Sequence, residues 1–348
     1  MTSYRKTFLE VNLTNLEYNY DFYKNKTKKA IFTVVKANAY GMGAVEIARC
    51  LEKLNTDYLG VATLDEAVEL RQAGIIAPIL VMGYVAVNDV KIAIENNITL
   101  TVVSLTWAKN LTLQGHKNLK LHLKVNTTMN RLGHNSLEEV LESINLLKNN
   151  HNLEGIFTHY CCEDNETALK DFNHFKNIVE SLNFDFKWIH ASNSYNALYL
   201  EENLTNAIRI GIGLYGGYKE AGLKNIASLK TEVAQIRMLN ANETVSYGAT
   251  YTAQSKMKIA VLTIGYADGV LRMDTGSNVW INNNYYPIVG TICMDQLMVA
   301  IDDKVAENAM VEIFGEHIDV EAIAKSRKTI IYEVFTTIST RVFRKYIR

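Results

Sequence analysis

A lysine stands where a run of apolar residues ends. Ile31 to Val35 are β-branched or aromatic and nearly uninterrupted, and Lys36 follows, then Ala37, Asn38, Ala39, Tyr40 and Gly41. Such a run reads as a strand buried on both faces. An amine at its exit loses part of its water, which disfavours the charged form. A neutral amine attacks a carbonyl carbon, the requirement for a Schiff base. The plain alternative is a lysine that lays its stem along the strand end and keeps its ammonium in water. Residues further on weigh against it. Lys124 and Arg131 bracket Asn126-Thr127-Thr128-Met129-Asn130, His159 closes a second apolar run, and Asn193 and Ser194 follow a third. Arg209 leads into Gly211-Ile212-Gly213. Cations, hydroxyls and glycines that let backbone N–H groups approach closely suit a phosphate. Ser194, Gly211 and Ile212 are placed for it. A phosphate cradle facing a Schiff-base lysine is the combination pyridoxal phosphate requires.

These residues need a frame that brings them to one face. Strand-like runs cover 31–35, 58–62, 79–82, 99–103, 119–125, 153–159, 186–190 and 207–210, and helix-like segments such as 64–73, 136–149 and 165–182 lie between them. Strict alternation to eight strands predicts an α/β fold of the (β/α)8 TIM-type barrel class. In such barrels the chemistry gathers at the C-terminal ends of the strands, which is where these residues fall. From about residue 229 strands follow one another with few helices, over 230–239, 245–253, 258–264, 279–281, 286–289, 297–301 and 310–314, and 319–326 is the one clear helix. This is a second, β-rich domain. The expected division is 1–222 for the barrel domain and 223–348 for the C-terminal domain, with residues 1–13 as candidates for pairing with the latter. The second domain carries Tyr247 in Ser246–Tyr251, Met294 in Gly290–Gln296, and Tyr332. Taken singly, each reads as a packed strand residue or core filler.

The 348 residues suggest about two domains, and 48% hydrophobic with 21% charged residues is a globular composition. Thirty-six basic and 37 acidic residues give a net charge of −1, which favours neither nucleic acid nor an anionic membrane as partner. No run approaches the ~20 apolar residues of a spanning helix, and the N-terminus lacks a signal-peptide core. Cys50, Cys161, Cys162 and Cys293 match no zinc spacing and no disulfide framework, so no metal is expected and the thiols read as those of a cytoplasmic protein.

Taken together, the motifs resemble the alanine racemase family. Val35–Gly41 looks like its cofactor-lysine motif. Met129–Gly133, Arg209–Gly216, Ser246–Tyr251, Gly265–Gly269, Ile292–Gln296 and Tyr332-Glu333 follow in the family's order over nearly the whole chain. The resemblance implies a pyridoxal-phosphate enzyme interconverting L- and D-alanine by two bases, supplying D-alanine for peptidoglycan. It implies a homodimer with shared active sites. Lys36 would hold the cofactor and serve the D-isomer, and Tyr247 from the partner subunit would serve the L-isomer, with His159 and Arg209 offering it a cationic environment. Arg209 would donate to the pyridine nitrogen. Tyr40, Ser194, Gly211, Ile212 and Tyr332 would hold the phosphate, with His159 and Asn193 also against the cofactor. Arg131 and the Met294 N–H would hold the substrate carboxylate. Lys124 matches a lysine that can be carbamylated, and Tyr266 and Arg272 match access-channel residues.

Two departures stand out. Asn126–Asn130 replaces the family's common Asp-Thr-Gly-Met-Gly, and Phe335 and Phe343 stand where proline is common. A decarboxylase of the same barrel class would need a carboxylate at the ring nitrogen, where Arg209 stands. A non-catalytic cofactor carrier is often a lone barrel. Serine or another small amino acid remains the alternative substrate.

Overall fold

The computed structural model describes residues 4–348. The chain divides into two compact units, one of residues 4–16, Tyr40–Gly43 and Asn225–Arg348, the other of Glu17–Ala39 and Ala44–Lys224. Strands are numbered along the chain. β1 (Phe8–Asn12) belongs to the first unit. β2 (Ala30–Val34), β3 (Tyr58–Val61), β4 (Ile79–Val81), β5 (Thr99–Val102), β6 (Lys120–Lys124), β7 (Asn152–Phe157), β8 (Trp188–His190) and β9 (Ala207–Ile210) close into a parallel barrel. Each predicted barrel strand is present, its ends within two residues of those expected.

The barrel forms because its strands are apolar on both faces. β3, β4, β5 and β9 are buried at every residue. Phe32, Tyr58, Leu80 and Ala207 pack inside it, each large side chain contributing about 1.5–3 kcal/mol. The connecting helices start at caps the sequence supplies. Thr63 and Glu66 form a reciprocal capping box, and Ser104, Ser136 and Asp164 accept the N–H groups of Trp107, Glu139 and Thr167. In Leu137–Leu147 the buried stripe is Val140, Ser143, Ile144 and Leu147.

The other unit holds β10 (Ala227–Leu239), β11 (Thr244–Val245), β12 (Tyr251–Thr252), β13 (Met257–Leu262), β14 (Asn278–Ile281), β15 (Asn284–Val289), β16 (Leu297–Ile301), β17 (Met310–Phe314) and β18 (Phe343–Ile347). Eight strands form one sheet in the order β13-β16-β15-β14-β17-β10-β1-β18, and β10 also pairs with β13. β1 runs antiparallel to β10, Phe8 opposite Lys230, and parallel to β18, Phe8 opposite Phe343. Ala227, Leu229, Thr231 and Val233 of β10 alternate inward, as the period of a half-buried strand requires.

Two expectations are corrected. The single strand over 245–253 is broken by positive φ at Ser246 (65°), Gly248 (74°) and Ala249 (48°), which leaves only the short pair β11–β12. A second helix, Ile331–Thr336, joins Val320–Ser326. Among the described residues no helix is long and apolar enough to cross a membrane.

Candidate active site

Lys36 lies just past β2, whose end is held by the Tyr215 hydroxyl on Val34 O and by Val35 N on Gly60 O, both at 2.8 Å. The chain then makes one left-handed helical turn. Ala37, Asn38 and Ala39 sit at φ/ψ of 51/51°, 54/47° and 52/51°, and Tyr40 at φ 54°. This conformation costs about 1–2 kcal/mol per residue for L side chains, so its surroundings must impose it. Glu66 does so from one side, accepting the Ala37 N–H at 2.6 Å and the Ala62 N–H at 2.7 Å. Asn38 Oδ1 accepts the Ala44 N–H at 2.8 Å, and Ala39 N donates to Val35 O at 2.8 Å. The Lys36 amine is half-buried. Burial pushes it below the ordinary lysine range, Arg131 and Arg209 push the same way, and Glu66 opposes them.

Arg209 is buried in β9. One terminal nitrogen donates to His190 Nδ1 at 2.7 Å; the other donates to Thr158 O and Ala191 O at 2.7 Å and to His159 Nδ1 at 3.1 Å. A guanidinium only donates, so His190 Nδ1 carries a lone pair and its proton sits on Nε2. That proton points at His122 Nδ1, 2.9 Å away. His122 therefore keeps its own proton on Nε2, 3.9 Å from Glu154 Oε1, which also accepts the Tyr58 hydroxyl. The donors run one way, from Arg209 through His190 to His122. Gly155 makes the room: a β-carbon there would collide with the His122 ring. His190 stacks on Phe157, centroids 4.7 Å apart at 7°, and the Lys124 amine lies 4.7 Å from the same ring. Burial and then Arg209 hold His190 and His159 well below the usual imidazole range. His159 is thus neutral, and the expected cationic help from it is corrected: the positive charge here is that of the guanidinium.

Lys124 closes β6 and is buried. Burial, then Arg209 and Arg131, push its amine down to about 7. Its carbonyl accepts the His134 N–H and Nδ1–H, both at 2.8 Å, which closes the loop carrying Arg131. Gly133, at φ 128°, allows this closure, because a β-carbon would lie 2.5 Å from Asn126 N. The two loop positions where the family commonly has glycine, Thr128 and Asn130, each have a local answer. Asn130 takes φ 49°, a left-handed value asparagine tolerates. Thr128 donates its N–H at 3.0 Å and its hydroxyl at 2.7 Å to Asp171 Oδ1. Arg131 itself is exposed on this loop.

Past β8 and β9, the Ser194 hydroxyl lies 3.0 Å from Gly211 N and 3.1 Å from Gly213 N, and Tyr23 donates to Ser194 O at 3.0 Å. Ile212 opens the turn Ile212–Tyr215, and Asn193 Oδ1 accepts the Asn196 N–H at 3.0 Å. In the β-rich unit the Tyr40 and Tyr332 rings are 5.8 Å apart. Burial and then Tyr332 push the Tyr40 hydroxyl up. Tyr332 lies on the helix Ile331–Thr336 rather than on a strand. Thr291 Oγ1 donates to Tyr247 O at 3.0 Å, Tyr266 N to Cys293 O at 3.0 Å, and Ala267 N to Met294 O at 3.0 Å. Three motifs far apart in sequence are thereby laced together. Tyr247 is 74% exposed and Met294 52%. Asp268, fully buried, clamps them. Arg5 binds it at 2.6 and 3.1 Å, Arg341 at 2.7 and 3.1 Å, and the Gly265 N–H at 3.0 Å. Arg272 is exposed in the turn Arg272–Asp274.

Sequence reasoning overlooked His122, His190, Asp171 and Asp268. Two left a legible signal: His190 stands at the end of its barrel strand, and His122 shares the Lys124 face of β6 at a spacing of two.

Lys36, Lys124, Arg131 and Arg209 all belong to the C-terminal end of the barrel, where burial and then the two arginines depress the two amines. Such a site suits an anion. An amine leaning neutral for an aldehyde, cations and the Ser194 hydroxyl for a phosphate and a buried guanidinium for a ring nitrogen fit pyridoxal phosphate. Residues 11–219 match the alanine racemase N-terminal domain and residues 226–346 the alanine racemase C-terminal domain. The chain belongs to the alanine racemase family. Alanine racemase of Staphylococcus epidermidis is 38% identical over 364 residues, covering 99% of this chain and 95% of that protein. Alanine racemase 1 of Oceanobacillus iheyensis is 37% identical over 100% of both. Among solved structures, alanine racemase of Clostridium difficile 630 gives a TM-score of 0.93 at 37% identity, covering 100% of this chain and 96% of that one. The Bacillus anthracis enzyme with bound L-Ala-P gives 0.94 at 34%, with the same coverage. As a member of that family the chain depends on pyridoxal phosphate and interconverts L- and D-alanine.

Proposed function

We propose that Lys36 and Tyr247 are the two bases of this racemase and that each active site takes its Tyr247 from a second copy of the chain. The observation that carries this reading is the Lys36 amine, half-buried at the barrel rim and pushed below its ordinary range by burial, Arg131 and Arg209. Pyridoxal phosphate, when bound, makes the α-hydrogen of an attached amino acid acidic. Lys36 Nζ takes or returns that proton on one face, and Tyr247 Oη does so on the other. Arg209 donates to the ring nitrogen without surrendering its proton, which limits how far charge spreads into the ring and suppresses side reactions. His190 and His122 keep the guanidinium in that orientation. Arg131 and the Met294 N–H receive the substrate carboxylate. Tyr40, Ser194, Gly211, Ile212 and Tyr332 receive the phosphate, with Asn193 and His159 beside the ring. Lys124, as a carbamate, would give Arg131 an anionic partner. Tyr266 and Arg272 narrow the access path and keep substrates small.

The second copy is supported by the exposed side chains of Tyr247, Met294 and Tyr266, whose three segments are laced together by hydrogen bonds to their backbone. A cytoplasmic enzyme supplying D-alanine to peptidoglycan suits the family and the reduced thiols. The test is Tyr247→Phe with each isomer in D₂O. L-to-D turnover should fall by about 10²–10⁴, while D-alanine still exchanges its α-hydrogen through Lys36. Unchanged L-to-D turnover would remove Tyr247 from the mechanism.

A further inference from the structure

We propose that Cys161 and Cys162 form a redox site, a vicinal dithiol that an organic disulfide oxidises reversibly to a Cys161–Cys162 ring, and that ring closure loosens the loop carrying Arg131. The second half rests on the reading of Arg131 given above. The two sulfurs lie 2.9 Å apart. Cys162 is exposed and Cys161 half-buried, whereas Cys50 is buried and Cys293 lies against the Ser246 hydroxyl. The adjacent pair alone is placed to close a ring.

Cys161 is wired to the Arg131 loop. The Thr128 hydroxyl lies 3.1 Å from Cys161 Sγ. One buried carboxylate, Asp171, takes the Thr128 N–H at 3.0 Å on one oxygen and the Cys161 N–H at 3.1 Å on the other. A shift of the Cys161 backbone is therefore felt three residues before Arg131. Ring closure demands that shift. Neighbouring Cα atoms are about 3.8 Å apart across a trans peptide, below the roughly 4.4–6.8 Å of ordinary disulfides. The peptide between the cysteines must rotate and the Cys161 side chain must turn to Cys162, which draws its sulfur away from Thr128 and pulls on the Cys161 N–H that Asp171 holds. Strain of this kind makes a disulfide easily reduced, the property of a labile, regulatory bond.

The chemistry balances. The first thiolate of the pair attacks one sulfur of R–S–S–R, forming a mixed disulfide and expelling RS⁻. The other cysteine's thiolate then attacks the cysteine sulfur of that mixed disulfide and expels the second RS⁻. Two cysteine S–H bonds are lost, one S–S bond is formed, the reagent's S–S bond is reduced, and both protons leave on two R–SH.

The holoenzyme would be equilibrated with glutathione and glutathione disulfide at set ratios, its remaining thiols alkylated, and its peptides mapped by mass. The expected result is an unalkylated 161–162 peptide two hydrogens lighter, restored by dithiothreitol, with a severalfold rise in KM for alanine and little change in kcat. Cys162→Ser should keep its KM under the same treatment. Both thiols remaining alkylatable, or a stable glutathione adduct at Cys162, would overturn the dithiol site. Ring closure without a change in KM, or an equal rise in Cys162→Ser, would overturn the coupling. An Arg131→Lys variant with unaltered KM would sink the coupling together with the reading of Arg131, while the peptide map still decides the redox site.

Discussion

Withdrawing carbon dioxide and replacing Lys124 by methionine probe one amine from two sides. Burial, then Arg209 and Arg131, bring it from 10.5 to about 7. At pH 7 its neutral fraction rises from about one in three thousand to about one half. Only the neutral amine combines with carbon dioxide, so this lysine is favoured for carbamylation by about a thousandfold over an exposed one. The sign of the stability effect follows. The folded amine binds its proton more weakly than the unfolded one, so stability rises with pH between about 7 and 10.5. Below about pH 7 the full penalty stands, on the order of 5 kcal/mol. Carbamylation removes it and leaves an anion near Arg131. Because Arg131 is exposed, that contact is worth about 1 kcal/mol, roughly fivefold in kcat/KM. Intact mass, urea unfolding and kcat/KM would be measured in purged buffer and with bicarbonate. Bicarbonate should add the mass of carbon dioxide, raise the unfolding midpoint and raise kcat/KM about fivefold. Lys124→Met should lose that fivefold and ignore bicarbonate. A wild-type protein indifferent to bicarbonate in all three readouts, or a methionine variant of full activity, refutes the reasoning.

Gly155→Ala should drive the His122 ring away from His190, costing about 2–4 kcal/mol from overpacking and a broken buried hydrogen bond. Arg209 still fixes the His190 tautomer, so in ¹⁵N spectra the Nε2–H should stay and its resonance should shift as the bond to His122 is lost; an unshifted Nε2–H with full stability would disprove the donor chain. Asp268→Asn should cost about 2–4 kcal/mol at pH 7, because its charge binds two arginines that are partly in water. Burial alone would raise this carboxyl, but Arg341 and Arg5 bring it below its ordinary value. Its stabilisation is present above about pH 4 and is lost as pH falls through the lowered folded value. Denaturation curves should therefore converge for the two proteins in acid; a constant gap would contradict this.

The barrel was legible because β-branched runs such as Ile31–Val35 recur between capped helices, and the strand-end rule then pointed to Lys36, Lys124, Ser194 and Arg209. What escaped reading is imposed from elsewhere in the chain. Nothing in Ala37-Asn38-Ala39-Tyr40 predicts a left-handed turn, since no glycine marks it; Glu66, 29 residues on, enforces it. Ile331–Thr336 is rich in β-branched and aromatic residues, so its local preference is for strand, and tertiary context makes it a helix. Asp171 and Asp268 are acidic residues of ordinary appearance, and only the groups that converge on them reveal their work.

The most direct test of the account is to reduce the holoenzyme with borohydride and map the modified peptide. The account predicts that the cofactor's absorption band is lost and that the label lies on Lys36 alone. A label on Lys124, or on any other lysine, contradicts it.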